Sequence, residues 1–364
     1  MARAFAGAAP YLDAERHGSG HIHQTWVARY GQPAAPQRRL LQRLNTVVFS
    51  DPEGLMQNLR RVTRHIQDKL QASGISDRQR RSLRLVPTRS GAWLHADSQG
   101  GSWRAFDFVE GSHSVDKVAG PEQALLAARA FGEFAVQLAD LPGPRLCDTI
   151  PHFHDLDLRL DAFERGVRED RHGHSARTER EAQRLRVALE GLAGQLSAAR
   201  FAALPRRIAH HDCKLNNLLL DTRSGEALCV IDLDTVMEGS LLSDFGGLVR
   251  TASCRAAEDE RDQDRIDVDM ELFEAIARGY LDATRDLLSA EERDVLHAAG
   301  TFHTLLDATR FLTDHLEGDV YYQIQREGQN LDRARAQLRL AERMLERSGE
   351  MAATIERLFR RGGR

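Results

Sequence analysis

Residues 208–217 read IAHHDCKLNN, placing two histidines, an aspartate, a cysteine, a lysine and two asparagines within ten positions. Two chemistries suit that mixture. His210, His211 and Cys213 offer nitrogen and sulfur to a soft metal such as zinc. Asp212, Lys214 and Asn217 offer a proton acceptor, a cation and a hard oxygen ligand, the set that phosphoryl transfer needs. A polar turn without chemistry is the third reading.

The metal–thiolate reading is the weaker of the first two. Zinc sites need a second ligand cluster at matching spacing, and the four cysteines (Cys147, Cys213, Cys229, Cys254) form no CxxC pair. His210 then props the loop by hydrogen bonding, and Cys213 is a small, half-buried residue. The phosphoryl reading gains from the adjoining stretch of chain. LLLD (218–221) and ALCVIDLD (227–234) read as two short strands around a turn at 222–225. The second strand carries Asp232 and Asp234 among apolar residues, and buried carboxylates call for a ligand or a partner. The spacing from Asp212 to Asn217 is that of the protein-kinase catalytic loop, which also runs into a hairpin and a metal-binding aspartate. In that pattern Asp212 orients the attacking hydroxyl and takes its proton, Lys214 reaches the transferring phosphoryl group, and Asn217 and Asp232 ligate Mg²⁺ on ATP.

These residues need elements to hold them. HGSGHIHQTWVARYG (17–31) reads as a strand–turn–strand hairpin and 38–49 as a further strand. Pro52 opens a helix with apolar residues at Leu55, Leu59, Val62, Ile66 and Leu70. RSLRLVPT, GAWLHAD and GSWRAFDFVEGS add three strands. From Pro121 onward helical periodicity dominates, over 121–141, 176–196, 242–256, 267–286, 290–316 and 331–360, with a charged connection at 255–267. Residues 151–175 read as a helix fragment and an exposed loop. The fold class is therefore α+β and bilobal. A small antiparallel β-sheet N-lobe (1–114) precedes a mainly helical C-lobe (115–364) that contains the catalytic loop and hairpin (208–234).

Composition narrows the function classes. The chain has 364 residues, 41% of them hydrophobic, and a net charge of −4 from 50 basic and 54 acidic residues. That balance gives no footprint for nucleic acid. The N-terminal stretch has no long apolar run, no segment approaches the ~18 apolar residues of a membrane span, and sparse cysteines suit a reducing compartment. A soluble cytoplasmic protein is expected. The apolar stripe of the last helix (Leu331, Leu338, Met344, Leu345, Ile355, Leu358) either packs on its own lobe or makes a homodimer contact, so the chain is expected to be a monomer or a homodimer.

Beyond these local patterns the chain resembles the aminoglycoside phosphotransferase / choline kinase superfamily, and within it the N-acetylhexosamine 1-kinases. The resemblance rests on GSGHIHQTW (18–26), LLQRLNTVVF (40–49), WRAFDFVEGSHS (103–114), HHDCKLNNLLLD (210–221), CVIDLDTVMEGSLLSDFGGLVR (229–250) and TFHTLLDATRFLTDHLEGDVYY (301–322). It implies an ATP- and Mg²⁺-dependent kinase acting on the anomeric hydroxyl of a sugar. It also implies roles. Asp212 is the base, with Asn217 and Asp232 at Mg²⁺. Gly18 and Gly20 cover the phosphates, and Arg43 stands at the strand position that contacts them. Residues 106–110, with Phe108 and Glu110, face adenine. His21, Arg310 and Tyr321 line the sugar pocket. His210, Asp234 and Asp244 support the site.

Bland alternatives stand beside these roles. The glycines can be an ordinary hairpin turn and Arg43 a surface residue. Arg310 can pair with Asp307 and Asp314, Tyr321 can be core, and His21 can be a loop residue. Four positions depart from the family pattern: His23 and Gln24 replace Asn and Asp, Cys213 replaces Thr, and His211 replaces a smaller residue. These bear on acceptor identity more than on reaction type. An aminoglycoside, choline or homoserine O-phosphotransferase is the alternative, although all three tryptophans (Trp26, Trp93, Trp103) fall in the N-lobe, away from where an aromatic choline cage would lie. An inactive nucleotide-binding module is the remaining one.

Overall fold

A computed structural model describes residues 1–7, 9–18 and 22–361, and the chain divides into two compact units. The first comprises residues 1–114, 140–151 and 218–237, and the second 115–139, 152–217 and 238–364.

The first unit is built on an antiparallel sheet of β1 (Tyr11–Arg16), β2 (Gln24–Gln32), β3 (Ala35–Arg43), β4 (His95–Ala96) and β5 (Ser102–Asp107), in the order β1-β2-β3-β5-β4. Strand alternation gives the sheet two distinct faces. Trp26, Leu41 and Ala105 are directly paired across β2, β3 and β5, and with Ala28, Tyr30 and Trp103 they bury one face around Phe5. Gln42 and Arg104 pair on the opposite face. α1 (Pro52–Ala72) starts at an Asp51 cap, with Pro at its first turn, and buries the predicted stripe Leu55, Leu59, Val62, Ile66 and Leu70. A second sheet joins β6 (Ser112–His113) to the hairpin β8 (Leu218–Asp221) and β9 (Ala227–Val230). Its turn is fixed by Asp221, which accepts backbone N–H groups of Arg223 and Ser224 at 2.8 Å, and by Gly225 at φ +73°.

Several expected strands are shorter than the pattern suggests. β3 stops at Arg43 because the Asn45 side chain accepts the N–H groups of Val47 and Val48 and turns the chain away. RSLRLVPT contributes one isolated bridge, Leu85 to Phe106, and GAWLHAD only His95–Ala96. β1 lies upstream of the predicted hairpin.

The second unit is helical: α2 (Pro121–Leu138), α3 (Leu156–Glu169), α4 (Ser175–Ala193), α5 (Ala198–Ala202), α6 (Leu241–Ala252), α7 (Met270–Thr284), α8 (Ala290–Val295), α9 (Ala299–Leu316), α10 (Gln329–Glu346) and α11 (Ser348–Arg361). α9 is its axis, buried on nearly every side, with α3, α4, α6 and α10 packed around it. α2 lies against α7 so closely that a Cβ on Gly279 would sit 2.2 Å from the Leu125 carbonyl oxygen. The helix predicted over 331–360 is two helices that meet at Arg347. Its apolar stripe packs within the chain, with Leu338, Met344, Ile355 and Leu358 all at most 5% exposed. The short strand β7 (Arg207–Ala209), which pairs with β10 (Met237–Gly239), leads into the loop at 210–217. Among the described residues no helix is long and apolar enough to cross a membrane.

Candidate active site

In the second unit the loop after β7 is held from below by Asp244, in the first turn of α6. Its fully buried carboxylate accepts the backbone N–H of His210 at 3.0 Å and of His211 at 2.8 Å. Burial pushes the Asp244 pKa up, and His210 and these N–H donors oppose it. His210 is also fully buried, edge-on to Phe131 and Phe134, and its Nδ1 accepts the Asp212 N–H at 3.3 Å. His211 adopts φ +67°, a left-handed conformation that costs energy for a residue with a Cβ. Its ring occupies the space above Gly239, where an added Cβ would come within 2.1 Å.

That scaffold presents Asp212, whose side chain is 30% exposed. Lys214 Nζ lies 2.9 Å from Oδ2, and Asn217 Nδ2 donates to the same oxygen at 2.8 Å and to the Asp212 carbonyl at 2.9 Å. Burial alone would raise the Asp212 pKa, but the Lys214 charge and hydrogen bond, His210 and the Asn217 amide outweigh it and hold the pKa at about 2. Asn217 turns its nitrogen to Asp212, which leaves Oδ1 as the atom it can offer to a cation. The Cys213 thiol is 2% exposed, and burial drives its pKa well above the usual value. It stays protonated, unlike a thiolate ligand or nucleophile.

The same unit carries Arg310 and Tyr321. Arg310 on α9 pairs with Asp307 at 2.9 Å and lies over the rings of Phe153, Tyr321 and Tyr322 at 5.4, 5.9 and 5.4 Å. Asp307 also receives Arg250 of α6 at 2.9 Å. Asp314 does not pair with Arg310. It accepts the backbone N–H groups of Tyr321 and Tyr322 at 2.7 and 3.0 Å and so places both rings. Next to Asp212, the His211 ring meets His154 with Nδ1 atoms 3.3 Å apart, and His154 meets His303 edge-on at 4.6 Å. Burial and the neighbouring imidazoles and arginines keep His154 neutral, and burial lowers the His303 pKa to about 4.

In the first unit Asp232 stands two residues past the end of β9 and is a second left-handed residue, at φ +60°. Two positions on, Asp234 is 2% exposed and bound by Arg104 through two parallel bonds of 2.5 and 2.6 Å. Arg104 is itself 2% exposed and donates from Nε and NH2 to Gln42 at 2.9 and 2.8 Å. His23 completes the cluster. Its Nδ1 accepts the Asn45 N–H at 3.0 Å, which leaves the proton on Nε2 for Asp234 at 2.6 Å. Burial acts against ionising Asp234, but Arg104 and His23 keep it a carboxylate. With both oxygens engaged, Asp234 anchors the loop rather than offering a ligand.

The remaining expected positions scatter. Arg43 lies on the Phe5–Trp103 face of the sheet, near Asp97 at 3.9 Å, opposite to Gln42 and Arg104. Glu110 pairs with Arg38, whose guanidinium stacks over Phe108 at 4.0 Å. Gly18 has φ +74°, as a tight glycine turn requires. Gly20 and His21 lie outside the described residues.

Sequence reasoning missed Arg104, Gln42, Arg159, Arg250, His154 and His303, whereas Asp307 is anticipated there as a partner of Arg310. Arg104 carried a signal, as a lone cation in WRAFDF that matches the surplus aspartate of CVIDLD. The others sit on helices, on a strand or in a loop, where only packing gives them partners.

A family model described as a phosphotransferase enzyme family matches residues 16–292. Solved structures with similar folds include the aminoglycoside phosphotransferase of Alicyclobacillus acidocaldarius, at 14% identity and TM-score 0.52 over 95% of this chain and 92% of that one. A microcompartment-associated aminopropanol kinase aligns at 17% identity and TM-score 0.55, over 94% of each chain. Spectinomycin phosphotransferase, in complex with ADP and spectinomycin, aligns at 10% identity and TM-score 0.54 over 94% of this chain and 93% of that one. At these identities the likeness is one of fold.

Proposed function

Because the chain belongs to the phosphotransferase enzyme family, we propose that it is an ATP-dependent kinase that phosphorylates the anomeric hydroxyl of an N-acetylhexosamine. The observation that carries the reading is Asp212, partly exposed at the loop's edge and pinned through one oxygen by Lys214 and Asn217. Its second oxygen is left to hold the acceptor O–H. A carboxylate with a pKa of about 2 is a poor base for removing an alcohol proton in advance. It is suited to orienting the hydroxyl and receiving the proton late, as a loose phosphoryl-transfer transition state requires. Lys214, beside Asp212, is assigned the neutralisation of charge on the transferring group.

The donor set fits a magnesium ion. Asn217 Oδ1 and the Asp232 carboxylate are hard oxygen ligands, and Asp234 is committed to Arg104 and His23. Mg²⁺ commonly takes only one or two protein oxygens and fills its shell with water and phosphate. When bound it would neutralise the phosphate charge. Nucleotide binding is assigned to the N-terminal unit, through the glycines at 18 and 20 and residues 106–110. It is supported by the ADP complex of a protein of similar fold. Arg310 and Tyr321, with His21, are assigned to the sugar, and the chain boundaries 1–114 and 115–364 to the two functional halves.

The test is a coupled ADP-release assay over N-acetylhexosamines, hexoses and amino alcohols, with the phosphorylated position read by NMR. ADP release dependent on an N-acetylhexosamine, with phosphate at C1, is expected. Release with amino alcohols alone would replace this reading by the aminoglycoside and choline kinase alternative.

A further inference from the structure

The side chains around Arg310 in the second unit have an unbalanced charge. Among the described residues Asp307 is the carboxylate ion-paired with Arg310, and it is shared with Arg250, at 2.9 Å each, while Asp314 is engaged by the backbone N–H groups of Tyr321 and Tyr322. Glu258 reaches Arg250 at 3.1 Å from the rim, where it is 46% exposed and also lies 3.7 Å from Arg333. Arg159 of α3 has no carboxylate within ion-pair distance among the described residues, and Asp155 acts on it only from farther away. It donates only to the carbonyls of His152 and Phe153, at 3.5 and 3.3 Å, and its Nε is buried without a partner. Burial and the neighbouring Arg310 lower its pKa, which marks two guanidiniums in repulsive proximity.

Among the described residues no paired carboxylate compensates Arg159. Burying part of a guanidinium without one is costly, and a folded chain keeps such a group where a ligand supplies the missing charge. The aromatic residues beside it are Phe153, Tyr321 and Tyr322, a surface of the kind that covers a sugar ring. The surface also lies beside the catalytic loop. Phe153 stacks on His154, which touches His211, and the Arg250 charge is felt at Asp212.

We infer that Arg159 and Arg310 together bind an anionic substituent of the acceptor, a carboxylate or a phosphate, so that the substrate is an acidic sugar and amine-bearing acceptors are rejected. The inference rests on the sugar-kinase reading above and narrows it. It sets this chain apart from an aminopropanol kinase of similar fold, because an ammonium group would meet Arg159, Arg250 and Arg310 with Asp307 already shared. A guanidinium fork matches a carboxylate or phosphate through paired N–H···O bonds.

The experiment compares kcat/KM for one N-acetylhexosamine, a carboxylate-bearing derivative, its 6-phosphate, the free hexosamine with its cationic amine, and glycerate as an acidic alcohol that is not a sugar. The carboxylate or phosphate form is expected to exceed the neutral sugar by about 10- to 100-fold, the range of a charge-assisted hydrogen bond, and the amine to fall below both. The two acidic arms show which anion is used. Arg159→Met is expected to collapse the acidic-to-neutral ratio, and Arg159→Lys to restore part of it. Calorimetric binding of a 1,5-anhydro sugar acid to the wild-type enzyme gives the same answer if Arg159→Met does not fold. Equal or better turnover of the amine, or an unchanged ratio in folded Arg159→Met, overturns the inference. If neutral N-acetylhexosamine is phosphorylated and acidic forms are no better, the sugar-kinase reading stands and the inference falls. If glycerate is phosphorylated and no sugar is, the sugar reading falls while the anion site stands.

Discussion

At the scale of single residues the proposed chemistry rests on Asp212. Its carboxylate is ionised throughout the neutral range because Lys214 and Asn217 stabilise the charge against burial. Asp212→Asn keeps the shape and removes the proton acceptor. Turnover is expected to fall by ~10²-fold or more, with nucleotide affinity retained, as measured by steady-state kinetics and calorimetry. Unchanged turnover would take Asp212 out of the role. His211 in the loop and Asp232 after β9 are both held left-handed. Gly239→Ala would drive a methyl into the His211 ring. A drop in kcat larger than the drop in stability is expected, since the displaced ring adjoins Asp212.

The elements matter through the few contacts that lock them. In the first unit, one buried group of side chains ties β3, β5 and the residues after β9 together: Gln42, Arg104 and Asp234, with His23 joining from the approach to β2. Arg104→Met would leave the Asp234 carboxylate buried with only His23. Breaking one partner of a buried pair costs about 3–5 kcal/mol, so a loss of that size is expected in urea unfolding. Adding Asp234→Leu should recover part of it, because the stranded charge goes too. A double variant no more stable than Arg104→Met would show that the pair is not the cause. In the second unit, Gly279 lets α7 meet the α2 backbone. Gly279→Ala should destabilise by about 1–3 kcal/mol through overpacking, a loss visible as a lower urea midpoint.

Over the whole molecule, histidines rather than net charge tie stability to pH. His154 and His303 are held neutral by burial, His303 with a pKa of about 4. An unfolded histidine titrates near 6.5, so between about 6.5 and 4 the unfolded chain binds more protons and stability rises with pH. Stability is therefore present above pH 6.5 and lost as pH falls toward 4, with about 3 kcal/mol from His303 alone. Urea midpoints at pH 7 and 5 should show the loss, and His303→Gln should flatten the slope. An identical slope in that variant would assign the acid sensitivity elsewhere.

The sequence alone determined the α+β class, the run of helices after Pro121, and the spacing of Asp212, Asn217 and Asp232. Such features are local. Periodicity records which face is buried, and a catalytic loop holds its residues within a few positions of chain. It also identified 38–49 as a strand but not its end at Arg43, because a side-chain turn at Asn45 leaves no periodic trace. Tertiary structure decided which side chains meet. Gln42 and Arg43 are neighbours in sequence, yet pleating sends one to Arg104 and the other toward Asp97. His23 reads in the sequence only as a departure from the family pattern until its two nitrogens are seen to bind Asn45 and Asp234. Arg159 and Arg310 are 151 positions apart, and only the packing of α3 against α9 sets their charges in one place. Proton affinity, burial and charge balance depend on such distant neighbours, and those are the properties on which the proposed choice of acceptor rests.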